Sequence, residues 1–363
     1  MNSFPTAIDE ILACVENFDP THYAATRNFK DGQVSRLSPY ISRGVITTRQ
    51  VFRNLKARYP KTVLEKFIRE LLWRDYFQRL LQSRPELYHA SIRTDSDAKI
   101  SGIPIAILNG VTGIREIDAA VHDLYQTGYM HNHFRLYVAS ICCNVARLGF
   151  SVPAGWMYYH LLDADVASNF ASWQWVAGNL TGKKYIANQE NINFYSRSQQ
   201  SATFLDCTYD ELQDMPVPEI LKDHTVPVLD TFLTKTGIPD LKTATALLYD
   251  FYNLNPFWHE HEHYDRILIL EPSHFRKFPV SEKVMAFVLA LSRNIPNLKV
   301  YCGEFEDLRS AYPEVRFIAR EHPIINYHGA QVESREWIVP EVTGFYPSYS
   351  KYYTACLKYL NYE

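Results

Sequence analysis

A chain of 363 residues that is 47% hydrophobic and 14% aromatic is no disordered protein, and it has room for two domains with sizeable cores. The net charge of −3 divides unevenly: residues 1–200 hold 22 Lys+Arg against 17 Asp+Glu (+5), and residues 201–363 hold 15 against 23 (−8). No run of 18 apolar residues occurs, no charged leader precedes an apolar run at the start, and the six cysteines lack metal spacing, so a reduced, cytoplasmic protein without a membrane span is expected.

In chain order, residues 5–18 read as an amphipathic helix with Ile8, Ile11, Leu12 and Val15 on one side. A polar loop with Asp31-Gly32 follows. Ser38-Pro39 looks like a helix start with Ser38 as cap, and Thr47 or Thr48 can cap the next helix. Residues 61–83 form a strong long helix, with Leu64, Phe67, Ile68, Leu71, Leu72, Tyr76 and Leu80 at helical spacing. After Gly113 come a helix over 115–126, a break at Gly128, and helices from Met130 to about Leu148, Pro153 to about Leu162, and Ser168 to Val176. A polar loop then runs to residue 200, and no alternating strand is evident up to about residue 205. Pro216, Pro218 and Pro227 mark a linker. From Tyr264 the pattern turns β/α: strands at 266–272, 298–303, 315–321 and 335–341, helices at 281–296 and 304–313, and a closing helix at 348–360. The expected organisation is a helical domain over 1–205, a linker with connecting helices over 206–263, and a small, mostly parallel α/β domain over 264–363.

Several polar residues stand out against this apolar frame. Ser35, Arg36, Leu37 and Ser38 form a Ser-x-x-Ser turn, which suits a phosphate but on its own reads better as an ordinary helix cap. Glu70, Trp73 and Arg74 share one helix face, as a surface Glu–Arg pair beside a half-buried Trp also would. Asn132 and Arg135 share another. Asp163 and Asp165, two apart at a helix end, need donors if buried, and Arg135 is a plausible partner for Asp163. Asn169, Trp173 and Trp175 follow. These polar groups fit either a large polar-and-aromatic ligand or a structural ion-pair network. His259, His261 and His263 alternate in WHEHEHY, but a solvated linker explains them better than a metal, and no metal is expected.

In this order, VSRLSP (34–39), ELLWRDYF (70–77), GVTGIREIDAAVHDLYQTGYMHNHFR (110–135) and LLDADVASNFASWQW (161–175) resemble the FAD-binding domain of the DNA photolyase/cryptochrome family, over about Tyr23 to Trp175. The resemblance implies an all-helical domain holding FAD, with blue-light-driven electron transfer. It implies that Tyr23, Ser35, Arg36, Leu37 and Ser38 hold the diphosphate. It places Arg74, Asn132, Arg135, Asp163 and Asp165 around the flavin, and Asn169 facing flavin N5. Glu70, Trp73, Asn132 and Trp175 would line a pocket for a flipped pyrimidine dimer. Glu70, Asn132, Asn169 and Trp173 would act in catalysis, Trp173 as the relay residue nearest the flavin.

The chain also departs from the family pattern. The β/α region follows the helical domain instead of preceding it. Phe150 and Ile107 stand where the middle and outer relay tryptophans belong, which leaves Trp156, Tyr158 or Tyr159 as another route. His133 replaces an Arg expected on the DNA side, and Val34 replaces a Thr. Lys183, Lys184 and Arg197 remain for phosphate contacts. Because His131 is followed by Asn132, not by a second His, the resemblance favours cyclobutane dimers as the lesion. The expected function is an FAD-dependent photolyase acting on damaged DNA. The alternative is a cryptochrome-like photoreceptor with a protein partner at the acidic C-terminal part.

Overall fold

The computed structural model describes residues 4–92 and 100–360. Among these the fold is helical with one five-stranded parallel sheet, the mixed class expected, and no described helix is long and apolar enough to cross a membrane. By internal contacts the chain divides into two compact units. One comprises the residues up to Phe18, Ser35–Ser83 and Leu229 onward; the other comprises Asp19–Val34 and Arg84–Val228. This grouping cuts across the 1–205, 206–263 and 264–363 segments expected from composition.

The first unit holds the sheet. Its strands are β1 (Thr245–Tyr249), β2 (Asp265–Ile269), β3 (Leu298–Tyr301), β4 (Arg316–Arg320) and β5 (Gln331–Glu333). They lie in the order β3-β2-β1-β4-β5, all parallel. Apolar runs such as TALLY and RILI are buried on both faces, as parallel strands require. Ala246, Leu248, Ile267, Ile269, Phe317 and Ala319 pack with Phe305 and Leu308 of the Phe305–Ala311 helix. Two expectations are corrected. The central strand β1 lies inside 206–263, read as linker, because its one short apolar run is followed by a loop rather than a helix. Residues 335–341 form no strand; the fourth expected strand is β5, just before them, while Trp337, Ile338 and Val339 are buried packing residues.

The long helix Lys61–Ser83 forms with the expected ends. Its second half buries Asp75, Gln78 and Arg79 as well as its apolar stripe. Asp75 accepts hydrogen bonds from Thr48 Oγ1 (3.1 Å) and from the Ile338 backbone N–H (3.0 Å). Gln78 Oε1 accepts from Arg335 Nη1 at 2.7 Å, and the Arg79 guanidinium lies 3.7 Å from the centre of the Trp337 ring. Burial raises the Asp75 carboxyl, against the lowering effect of Ile338 N–H, Arg335 and Thr48. The next cap is as expected: Thr47 and Gln50 form a reciprocal capping box on Thr48–Lys56. At Ser38–Ser42 the cap position is Leu37, with no side-chain cap bond, so Ser38 is the first helical residue rather than the cap.

The second unit is built from the helices Arg115–Thr127, Asn132–Ser140, Ser151–His160 and Val166–Val176. The helix expected from Met130 to Leu148 instead runs over Asn132–Ser140 and continues as a π-helical turn, Ile141–Val145. Within the expected 177–200 loop lies the helix Gln189–Ser196, capped by Asn188. Ile103–Pro104 pairs antiparallel with His224–Thr225, a strand contact too short to leave a periodic signal.

Asp75→Ala leaves Thr48 Oγ1 and Ile338 N–H buried without their acceptor. It is expected to cost about 3 kcal/mol, read as a lower urea midpoint at unchanged slope.

Candidate flavin and substrate sites

In the second unit, a glycine sets up the central ion pair. Gly128 ends Arg115–Thr127 in the left-handed region (φ 72°), and a Cβ there would meet Leu162 Cγ at 2.7 Å. That close approach lets Leu162 N–H bond Gly128 O at 2.8 Å, which sets Asp163 against the start of the next helix. His131 caps that helix, Nδ1 accepting from His133 N–H at 3.2 Å. One turn on, Arg135 donates through Nε to Met130 O (2.7 Å) and through Nη2 to Asp163 Oδ2 (3.0 Å). Asp163 is buried and Arg135 keeps 19% of its side chain exposed. The pair is therefore charge-assisted and fixed, with guanidinium edge left facing outward.

Asp165 caps Val166–Val176, Oδ1 accepting from Ser168 N–H at 2.7 Å. This structural duty was not evident in the sequence. Asp165, Asn169 and Trp173 follow at i, i+4 and i+8 on one helix face. Asn169 Nδ2 donates to Ala154 O at 2.9 Å, which turns Oδ1 away from that carbonyl. Trp173 is buried; Trp175 is half-buried, tilted against Tyr185 with centroids 5.6 Å apart. Gln174 between them is a clamp: Nε2 donates to Leu87 O (2.7 Å) and Ala90 O (2.9 Å), and Oε1 accepts from Ile92 N–H (3.0 Å). Asn132 is exposed at the helix start, and Tyr23 is buried in the turn Tyr23–Thr26.

His133, standing where an Arg is expected, points inward. Nδ1 is 2.9 Å from Asn28 O and Nε2 is 3.2 Å from Tyr185 Oη, so it ties two loops and is no phosphate ligand. Phe150 and Ile107 are buried apolar residues. Trp156 Nε1 donates to Tyr125 Oη at 3.0 Å, and Tyr125 Oη donates to Leu108 O at 2.7 Å, an aromatic pair distinct from the expected relay positions.

The first unit carries the other assigned residues. Ser35 Oγ accepts from Leu37 N–H at 3.4 Å, Arg36 is exposed with φ 54°, and Leu37 is a core residue. Arg74 is half-buried. Glu70 is half-buried and lies 3.5 Å from Lys66 Nζ. Trp73 is stacked face to face on Tyr349 of the Tyr349–Cys356 helix, centroids 3.7 Å apart at 10°. Tyr349 Oη donates to Arg69 O at 2.7 Å, and the Arg69 guanidinium covers Tyr353. One face of Trp73 is thus already occupied. His259 Nε2 is 2.9 Å from Glu333 Oε1, and Trp258 Nε1 donates to Glu333 Oε2, so this histidine is tied to the Glu333 carboxyl.

Residues 67–238 match the family profile described as the FAD binding domain of DNA photolyase. Over these residues the chain is similar to the DNA photolyase/cryptochrome family. Photolyase-type domains of this profile take FAD as cofactor. A deoxyribodipyrimidine photo-lyase of Vibrio cholerae is 26% identical over 249 residues, covering 66% of this chain and 53% of that protein. A chloroplastic/mitochondrial cryptochrome DASH of Ostreococcus tauri is 30% identical over 216 residues, covering 56% of this chain and 39% of the relative. Among solved structures, an archaeal photolyase from Sulfolobus tokodaii is 26% identical with a TM-score of 0.48, covering 61% of this chain and 51% of that one. The chain spans about half the length of the photo-lyase it matches. The matched segment contains Glu70 through Trp175, whereas Tyr23 and Ser35–Ser38 precede it.

The second unit's own groups fit a flavin. A fixed cation edge at Arg135, its acid Asp163 and an oriented amide at Asn169 suit a ring bearing alternating N–H and C=O groups. Burial, then His133 and Arg135, lowers His131 to about 4; burial also lowers His133. Both rings are neutral in this photolyase-type domain at pH 7. A lowered histidine stabilises above its unfolded value of 6.5 and loses that contribution as pH falls through its folded value. Between pH 7 and pH 5, His131 is expected to cost about 2 kcal/mol. His131→Gln should remove most of that loss in paired urea titrations.

Proposed function

We propose that the chain is a light-driven FAD enzyme of photolyase type that reverses cyclobutane pyrimidine dimers in damaged DNA. The observation that carries the reading is the Arg135–Asp163 pair, within the stretch that matches the photolyase FAD-binding profile and that also holds the oriented Asn169 amide. Bound FAD, reduced and excited by blue light, supplies the electron that opens the dimer. With FAD bound, Arg135 and Asp163 would hold the ring system, and Asn169 is assigned to its N5 edge on resemblance. Asp165 keeps Asn169 in place by capping their shared helix. The Ser35–Ser38 turn, with Arg36 and Leu37, is assigned the diphosphate on resemblance, as are Tyr23 and Arg74. Glu70, Trp73, Asn132 and Trp175 are assigned to the flipped pyrimidine dimer on resemblance, Trp173 to electron relay. Lys183 and Lys184 are exposed for strand phosphates; Arg197 is shared with Asp31 at 3.2 Å.

A second reading, a photoreceptor without repair activity, is favoured by the stacking of Tyr349 on one face of Trp73, a residue assigned to the lesion pocket. An acidic C-terminal half suits a protein partner better than DNA.

The test uses the flavin-loaded full chain, reduced and mixed with UV-irradiated oligothymidine. Under blue light, thymine absorbance is expected to recover, and in the dark it is not. No recovery from flavin-loaded, reduced protein would overturn repair and leave the photoreceptor reading. Where repair occurs, Glu70→Gln is expected to slow it about tenfold at equal flavin content.

A further inference from the structure

In the first unit a small crevice lies where the sheet changes direction. The chain leaves β1 toward β2 on one side and leaves β4 toward β5 on the other. In open parallel sheets, the carboxyl ends at such a point bound a ligand crevice. Here it is lined by residues just after β1 (Asp250, Tyr252, Asn253) and just after β4 (His322), with Ile41 and Ile46 from the segment above. Gly44 (φ +64°) lets that segment close down, since a Cβ would meet Tyr252 O at 2.3 Å. The space is about 50 Å3, room for a few non-hydrogen atoms and too little for a second flavin.

Two inner groups are uncommitted. Asp250 is 2% exposed and Asn253 6%, yet Asp250 Oδ2 and Asn253 Nδ2 have no hydrogen-bond partner among the described residues. Asp250 Oδ1 is already used by Tyr252 N–H at 2.7 Å. The two residues face each other across an antiparallel bridge, Asn253 N–H to Asp250 O at 3.1 Å, so their side chains project on the same side. Three charged groups of the lining are engaged. Glu321 accepts from Arg335 N–H (3.2 Å), Glu336 accepts from Thr47 Oγ1 (3.0 Å), and Arg335 Nη1 donates to Gln78. The Tyr252 and His322 rings stack at 3.9 Å and 6°, forming a flat wall.

An unsatisfied acceptor beside an unsatisfied donor, both buried, is costly unless one partner answers both. We infer that this crevice binds a small neutral molecule through an amide or lactam edge, whose N–H donates to Asp250 Oδ2 and whose C=O accepts from Asn253 Nδ2. The inference is independent of the flavin site and of the repair reading. Burial, the strongest influence, raises the Asp250 carboxyl to about 7, so it is mostly ionised and accepting at pH 8.

Acetamide is the probe, added at pH 8 to the full chain labelled at isoleucine methyl groups. Saturable shifts of the Ile41 and Ile46 methyls are expected in the millimolar range. N,N-dimethylacetamide, which lacks the N–H, should leave them unmoved. Asp250→Asn replaces the acceptor by a donor and should weaken acetamide about tenfold or more. Asn253→Asp removes the donor and should do the same, which decides the matter if Asp250→Asn does not fold. The inference is overturned if acetamide produces no saturable shift, meaning water alone fills the crevice. It is equally overturned if dimethylacetamide binds as well, or if the folded variants bind acetamide like the wild type.

Discussion

A guanidinium taken out of water needs an acid held against it, and the second unit is arranged to supply one. Arg135 sits one turn into a helix and Asp163 just before another, so the two meet only because the chain doubles back at Gly128. The Gly128 O to Leu162 N–H bond sets that return, and Asp165 starts the following helix two residues later. Asn169 and Trp173 then inherit their placement from the same cap. The Gly128 return and the Asp165 cap therefore fix the register of the elements that carry the assigned flavin contacts, and the ion pair is built on that frame.

Much of this was legible in the sequence. The long helix at 61–83, the Thr47 cap, three of the strands and the Arg135–Asp163 pairing all follow from periodicity, capping chemistry and the cost of burying charge. The rest was hidden for physical reasons. The strand β1 carries one short apolar run with no helix after it, so a local pattern reads it as linker. Asp165 looks like a ligand because a carboxylate at a helix start serves equally as a cap. The Trp73–Tyr349 stack joins residues far apart in the chain, and no local rule reaches that far. The uncommitted pair at Asp250 and Asn253 is likewise visible only once the turn between them is seen.

The first unit groups residues that composition separates. The long helix near the start is amphipathic only in part; its buried Asp75, Gln78 and Arg79 find partners at Ile338, Arg335 and Trp337. Polar residues in an otherwise apolar helix are expensive without such partners, so this helix and the C-terminal chain form one compact body. The family's helical profile begins within that helix and runs on through the second unit, so sequence kinship and compact packing divide the chain at different places.

The central claim is that Arg135 and Asp163 hold the flavin. It is tested most directly by the flavin-to-protein ratio of the full chain carrying both Arg135→Leu and Asp163→Leu, a change that leaves no lone buried charge. The account predicts flavin close to stoichiometric in the wild type and lost from the double variant, with helical circular dichroism preserved in both. A folded double variant that retains wild-type flavin would contradict it.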